Sequence, residues 1–395
     1  MIYFDNAATT FKKPEVVYEM MDKINRNLSV NVGRASYKLS RDAYEIIEKT
    51  RKNIADLIKL NDYNRVFFQP SATYALNTVL YGLKWDEFTN CYYTPFEHNA
   101  ILRPLKQIQL KYNSKFIEIP FDNKSFELDE NKLNYLFATK KPTYVLLSHV
   151  SNVTGYILPI EKICNIAKKY NAIIILDCAQ SMGLVPIDIN KLNVDIIVFA
   201  GHKTLYGPFG ASGFINISGV NLLNVYAGGN GADSLNLLMP HEEINSKYEI
   251  GSQNIVAIAG LNAAIEWIKE ITIEKIYKKK KDLTLYLMDK LKDIDDIELY
   301  LPDNMDNHIG IISFNIKGIT AEQIGLILAD HDIAVRTGYH CSPRVHSFIA
   351  GQDIDVFSDL NYYPNIQGTV RISLSYFNTK EEIDYLYNVL NFEMF

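Results

Sequence analysis

Short apolar runs alternate with amphipathic helical patterns over roughly the first 260 residues of this chain of 395. Apolar positions three or four residues apart predict helices, including those at 15–28, 73–83, 98–111 and 160–170. One more helix is expected to begin with Ser40 as its cap. The apolar runs predict strands at 65–68, 90–94, 115–119, 143–148, 172–176, 195–199 and 211–217. The alternation is typical of an α/β protein with a mostly parallel sheet, whose ligands bind at the carboxyl ends of the strands.

The pattern changes after residue 260. Two long helices, at 254–270 and 272–294, are followed by alternating strands and helices. The strands are predicted near 297–300, 309–316, 333–336 and 369–375, and the helices at 320–330 and 379–391, each with a capping box. The stretch 346–368 has no periodic pattern and is expected to be a surface loop. We therefore predict three parts: an N-terminal segment (1–14) that packs with the small domain, a large domain (15–260) and a small α+β domain (261–395).

Composition and charge exclude several functional classes. Hydrophobic residues make up 48% of the chain and charged residues 22%, and the net charge of −6 provides no basic field for nucleic acid. No apolar run reaches the ~18 residues of a membrane span. The N-terminal residues lack the pattern of a signal peptide, and the four cysteines lack metal-site spacing. We expect a cytoplasmic protein with reduced thiols, no bound metal, no membrane contact and no nucleic acid partner.

An acid and a lysine follow two neighbouring buried strands. Asp177 ends the run at 172–176, and Lys203 follows the run at 195–199, 26 residues further along the chain. Pyridoxal phosphate needs this pair, because the lysine amine forms its Schiff base and the acid keeps its pyridine nitrogen protonated. Each residue alone has an ordinary explanation as a cap or turn residue. Together with His98 and Asn152 upstream, the pair predicts a pyridoxal phosphate site.

Other polar residues are expected at the same edge of the sheet. Ala72 and Thr73 begin a helix, where free backbone amides bind phosphate, although a simple helix cap also explains this sequence. The His98 imidazole can stack on a planar cofactor and move protons. Asn152 and Gln180 are neutral donors suited to the phenolic oxygen of a pyridine ring. Cysteine is usually a buried hydrophobe, but Cys341 stands in a polar, loop-like setting near Arg336, where a thiolate nucleophile is stabilised.

These motifs, taken as a set, resemble the cysteine desulfurases of the class V aminotransferase family. The matching segments are Asp5-Asn-Ala-Ala-Thr, Glu97-His-Asn-Ala, Ser148-His-Val-Ser-Asn-Val-Thr-Gly155, Asp177-Cys-Ala-Gln180, Gly201-His-Lys203 and Arg336-Thr-Gly-Tyr-His-Cys341. The compact Arg-x-Gly-x-x-Cys form resembles the SufS-like and selenocysteine-lyase-like branch. The resemblance implies fold type I, pyridoxal 5'-phosphate as cofactor and a homodimer with shared active sites.

The resemblance also implies a role for each matching residue. Lys203 would carry the cofactor, with Asp177 at the pyridine nitrogen and Gln180 at the phenolic oxygen. His98 would stack on the ring, and Asn152 would lie beside it and the substrate. The phosphate would be held by Ala72, Thr73, His202 and, from the partner subunit, Ser252. Arg371 would clamp the substrate carboxylate, Arg34 would line the substrate entrance, and Cys341 would take the sulfur. Ala200 departs from the pattern, because relatives often carry a phosphate-binding hydroxyl at that position.

We therefore expect a cysteine desulfurase that converts L-cysteine to L-alanine and leaves a persulfide on Cys341 for an acceptor thiol or sulfur-carrier protein. A selenocysteine lyase acting on L-selenocysteine is the nearest alternative. A class V aminotransferase or epimerase would leave Cys341 dispensable. A sulfur-relay or scaffold protein without catalysis would not need Lys203, Asp177 and Arg371 together.

Overall fold

The computed structural model describes residues 1–32, 37–229, 247–352, 354–357 and 366–392. A seven-stranded sheet with the order β2-β8-β7-β6-β5-β3-β4 forms the centre of this described part. Its strands are Val66–Gln69 (β2), Asn90–Tyr93 (β3), Lys115–Glu118 (β4), Tyr144–Ser148 (β5), Ile173–Asp177 (β6), Ile196–Phe199 (β7) and Ser212–Asn216 (β8). β8 is antiparallel to both of its neighbours, and the other pairs are parallel. The seven predicted strands and the mostly parallel α/β class are confirmed.

Helices cover both faces of this sheet, which is why its strands are continuous apolar runs. Val145 and Leu147 of β5 belong to one apolar cluster, whereas Tyr144 and Leu146 belong to the cluster on the other face. The helices are Glu15–Asn27 (α1), Lys38–Leu57 (α2), Ala72–Gly82 (α3), Asn99–Tyr112 (α4), Glu130–Thr139 (α5), Ile160–Lys168 (α6), Ile189–Leu192 (α7) and Ile255–Ile271 (α8). The prediction of Ser40 as a cap is wrong. α2 begins at Lys38, and the buried Ser40 hydroxyl instead donates to the Asn31 carbonyl at 3.2 Å.

A smaller antiparallel sheet of order β12-β13-β10-β9 lies in the C-terminal part. The elements of this part are Ile273–Lys292 (α9), Ile297–Tyr300 (β9), Ile311–Ile316 (β10), Ala321–Asp330 (α10), Ile333–Ala334 (β11), Arg336–Gly338 (β12), Pro343–Ile349 (α11), Thr369–Ser373 (β13) and Lys380–Phe392 (α12). Both capping boxes are present. The strand predicted at 333–336 is divided, because β11 pairs with β1 (Ile2–Tyr3) and β12 pairs with β13. The loop prediction is wrong at 346–349, where α11 is helical, and 353 and 358–365 lie outside the described residues.

Three apolar clusters organise the described residues. The first continues through α8 to Ile276, and the third begins at Leu283 in α9 and includes Phe4 from the N-terminal segment. The predicted domain boundary between 260 and 261 falls within α8, and the division into domains stays a prediction. No described helix has the length and apolar character needed to cross a membrane.

Candidate active site

A cleft at the carboxyl ends of the parallel strands brings many of the predicted residues together. The predicted residues that line it are Ala72, Thr73, His98, Asn152, Asp177, Gln180 and Lys203. Their elements are distant in sequence but share this edge because strands β3, β5, β6 and β7 run in the same direction.

Lys203 and Asp177 form the charged pair of the cleft. The pKa of Lys203 is lowered to about 8, chiefly by burial. Asp177 opposes this shift, and Arg371 and Arg336 contribute to it. Burial raises the pKa of Asp177, against a hydrogen bond from the Ala179 amide at 2.8 Å and the charge of Lys203. The amine is therefore deprotonated more easily than an ordinary lysine, which suits a nucleophile and proton carrier.

His98 is held as a neutral imidazole. It caps α4, where its Nδ1 accepts a hydrogen bond from the Ala100 amide at 2.9 Å. The pKa of His98 is lowered to about 3, chiefly by burial, with smaller contributions from the charges of Lys203 and Arg371. Since Nδ1 is the acceptor in a neutral ring, the proton resides on Nε2. The residue can therefore donate one proton from a fixed position.

The beginning of α3 presents free backbone donors to the cleft. The Ser71 side chain accepts from the Tyr74 amide at 3.3 Å, and its carbonyl accepts from the Ala75 amide at 3.0 Å. The amides of Ala72 and Thr73 have no hydrogen-bond partner among the described residues. The helix-cap explanation and the phosphate-site explanation are therefore compatible. Ser71 is the cap, and the backbone amides of the next two residues remain available for an anion.

Gln180 and His202 are connected to the N-terminal segment. The side-chain Nε2 of Gln180 donates to the Ala7 carbonyl at 2.8 Å, which leaves the second N–H of Nε2 for another acceptor. The carbonyl of His202 accepts from the Thr10 amide at 3.0 Å. Its ring stacks on Phe209, with the centroids 4.6 Å apart. The buried Nδ1 of His202 has no partner in the described chain.

Arg371 reaches the site from β13 of the smaller sheet. It is almost fully buried, and its Nη1 donates to the Asn152 carbonyl at 2.9 Å. Its Nη2 forms an ion pair with Asp5 at 2.8 Å. The buried Nε has no hydrogen-bond partner among the residues that the structure describes. Arg371 thus keeps a donor for a substrate group, although it is not among the lining residues of the cleft.

Cys341 lies in a short loop between β12 and α11, and it is exposed whereas Cys91, Cys164 and Cys178 are buried. Its carbonyl accepts from the Asn99 amide at 2.8 Å. The side chain of Asn152 donates to the His340 carbonyl and accepts from the Ser342 hydroxyl, both at 2.9 Å. Asn152 therefore holds both neighbours of the thiol, while its own carbonyl holds Arg371.

Besides Arg371, the predicted residues His202, Cys341 and Ser252 are not among the residues that line this cleft. Ser252 is exposed, and its hydroxyl accepts from the Asn31 side chain at 3.4 Å. It does not line the cleft of its own chain. Arg34 lies outside the described residues.

Three further groups at the site had no role predicted from the sequence. Thr10 donates its hydroxyl to the Lys203 carbonyl at 2.8 Å, and Asp5 is the counter-ion of Arg371. The buried Glu97 accepts from the Ser148 amide at 2.9 Å and from the Ser148 hydroxyl at 2.7 Å, at the end of β5. The motif at residues 5–9 was a signal for Asp5, and Thr10 directly follows it. The contacts themselves could not be read from the sequence.

The residues present fit pyridoxal phosphate. A lysine amine, a strand-end carboxylate and a neutral imidazole border one cleft, which also has two free helix amides. The buried Nδ1 of His202, the residue before Lys203, has no partner among the described residues. Lys203 would carry the cofactor, Asp177 would bind its pyridine nitrogen, and Ala72, Thr73 and His202 would bind its phosphate. With this geometry the site can withdraw electrons from an amino acid substrate.

Comparisons with known proteins agree with this arrangement. The family model described as Aminotransferase class-V matches residues 2–386. A probable cysteine desulfurase from Pyrococcus abyssi is 32% identical over 404 aligned positions, which cover 99% of this chain and 93% of the relative. The apo structure of a cysteine desulfurase from Thermococcus onnurineus has a TM-score of 0.88 at 30% identity and covers 99% of this chain and 94% of that one. A cysteine desulfurase structure from Escherichia coli, with a TM-score of 0.84 at 22% identity and coverage of 98% and 93%, shows the shared fold alone.

Proposed function

Because the chain belongs to the class V aminotransferase family, we propose that it is a pyridoxal-phosphate-dependent cysteine desulfurase that converts L-cysteine to L-alanine. The observation that carries this proposal is the placement of Cys341. It is an exposed thiol that acts electrostatically on Lys203 and Arg371 and shares the Asn152 side chain with the cleft. A transaminase or an epimerase has no need for a nucleophilic thiol at this position.

When bound, pyridoxal phosphate supplies the sink for electrons released at the substrate Cα. Arg371 binds the substrate carboxylate through its unpartnered Nε, and Asn152 fixes the guanidinium. The neutral Lys203 amine takes the proton from Cα, and Asp177 stabilises positive charge on the pyridine nitrogen. His98, with its proton on Nε2, moves a proton at the substrate sulfur or Cβ.

The thiolate of Cys341 then takes the sulfur. The Cβ–S bond of cysteine breaks, and an S–S bond to the Cys341 Sγ forms. The carbon is reduced to the methyl group of alanine, which takes up the proton that Cys341 released on forming the thiolate, and the sulfur is oxidised to the persulfide level. An acceptor thiol or a sulfur-carrier protein must afterwards remove the terminal sulfur.

We also infer a homodimer, in which the exposed Ser252 of each protomer faces the phosphate site of the other. Its absence from the lining of its own cleft supports this inference. Four free cysteines are consistent with a reducing, cytoplasmic location.

Cys341→Ala tests the proposal. It should end persulfide formation and alanine release from L-cysteine while cofactor binding persists, and Cys164→Ala, which removes a buried thiol, is the matched control. Mass spectrometry of the wild type after cysteine should show one added sulfur on the peptide that contains Cys341. Full turnover of L-cysteine by Cys341→Ala, or sulfur on another cysteine, would overturn the proposal. Alanine formation from L-selenocysteine on the same preparations distinguishes a selenocysteine lyase from a cysteine desulfurase. Cys341→Ala should retain this activity in a lyase, because selenide leaves without a strong nucleophile.

A further inference from the structure

Two arginines face each other across neighbouring strands at the site. In the antiparallel pair of β12 and β13, Arg336 is directly opposite Arg371. Like charges in this position destabilise a sheet. Arg371 is buried, whereas Arg336 is 43% exposed. Arg371 reaches the cleft through its hydrogen bond to the carbonyl of the lining residue Asn152 at 2.9 Å, and Arg336 adjoins Arg371 as its cross-strand partner.

One carboxylate lies between these two cations. The Oδ1 of Asp5 is 2.8 Å from the Arg371 Nη2, and its Oδ2 is 3.7 Å from the Arg336 Nη1. The backbone of Asp5 is held beside Ser373 by a parallel bridge, which fixes the carboxylate between the two guanidinium groups. The two arginines and Asp5 therefore carry a net charge of one positive unit, and a single substrate carboxylate balances it.

We propose that Asp5 is a specificity-determining residue that restricts the site to substrates with one carboxylate. A first carboxylate binds the free donor of Arg371. A second carboxylate, on the substrate side chain, would find no net positive charge left in this group of three, and it would be repelled by Asp5. Amino acids with an uncharged side chain, such as cysteine, are thus favoured over dianionic ones of the aspartate type. The inference rests on the proposed function only in that Arg371 binds the substrate carboxylate.

Asp5→Asn keeps the shape of the side chain and removes its charge. Isothermal titration calorimetry of the holoenzyme with propionate and succinate, which lack an amine and do not react with the cofactor, measures binding of one and two carboxylates. The variant should raise the affinity for succinate relative to propionate by roughly tenfold, because the site gains one unit of positive charge. Adding Arg336→Gln to Asp5→Asn restores the net charge and should restore the wild-type ratio.

An unchanged ratio in a folded Asp5→Asn protein would overturn the inference, and so would a raised ratio that Arg336→Gln does not reverse. If Asp5→Asn does not fold, Arg336→Gln alone decides: the succinate-to-propionate ratio should fall, and an unchanged ratio contradicts the inference. The exposed Asp22→Asn on α1 controls for general effects of charge. The result is independent of desulfuration, because the change in the succinate-to-propionate affinity ratio can be measured even if the wild type releases no alanine from L-cysteine.

Discussion

At the scale of single residues, the chemistry depends on an amine that burial makes easier to deprotonate. Burial lowers the pKa of Lys203 to about 8, with Asp177 opposing the shift. Only the neutral amine attacks the cofactor aldehyde. Capture of pyridoxal phosphate by the apo-protein should therefore accelerate as the pH rises through about 8 and level off above it. Rapid mixing across about pH 6–10 gives the midpoint from the absorbance of the captured cofactor.

Asp177→Asn gives the direction of the electrostatic effect. The Asp177 carboxylate raises the pKa of Lys203, so its removal should move the midpoint to lower pH. Lys203→Ala should capture no cofactor at any pH, and the exposed Asp22→Asn should leave the midpoint unchanged. A midpoint that stays in place or rises in Asp177→Asn would contradict the expectation that the Asp177 carboxylate raises the pKa of Lys203.

At the scale of elements, the loop between β12 and α11 is held in an unfavourable backbone conformation. His340 and Cys341 have φ values of 49° and 57°, in the left-handed region, which costs about 1–2 kcal/mol for each side-chain-bearing residue. Three hydrogen bonds offset this cost. The Asn152 side chain donates to the His340 carbonyl, the Asn99 amide donates to the Cys341 carbonyl, and the Ser342 hydroxyl donates to the Asn152 side chain. The thiol at this sharp turn is exposed.

Ser342→Ala tests this restraint. The change leaves the Asn152 Oδ1 without its donor, so the free energy of unfolding should fall by about 1–3 kcal/mol and persulfide formation should slow by roughly tenfold, with cofactor affinity unchanged. Ser347→Ala is the matched control, because this equally buried hydroxyl on the same helix bonds Arg344 instead. Equal rates of persulfide formation in the two variants would contradict a role for Ser342 in positioning Cys341.

The same scale explains how far the sequence could predict the structure. The seven strands were predictable because burial on both faces makes continuous apolar runs. The cleft followed, since the residues after parallel strands share one edge of the sheet. The pairing of Arg371 with Asp5 was not predictable, because it joins residues 366 positions apart and no local pattern encodes it. The division of 333–336 into two strands also depends on tertiary pairing, with β1 and β13.

At the scale of the whole molecule, the N-terminal segment connects the smaller sheet to the active site. Phe4 is fully buried in the third apolar cluster, among residues of α9, α10 and α12. The next residues contact the site: Asp5 pairs with Arg371, the Ala7 carbonyl accepts from Gln180, and Thr10 donates to the Lys203 carbonyl. A single short segment thus ties the lysine of the large sheet to the arginine of the small one.

Phe4→Ala should loosen this connection. A buried phenylalanine reduced to alanine leaves a cavity, so the free energy of unfolding in urea should fall by about 3–5 kcal/mol. Phe88→Ala, at a residue 77% exposed, should change it by no more than about 0.5 kcal/mol. Because the segment also holds Gln180 and Lys203, Phe4→Ala should release pyridoxal phosphate faster than Phe88→Ala under conditions where both remain folded. A destabilised Phe4→Ala protein that retains its cofactor as long as the control would show that the segment stabilises the small sheet without positioning Lys203.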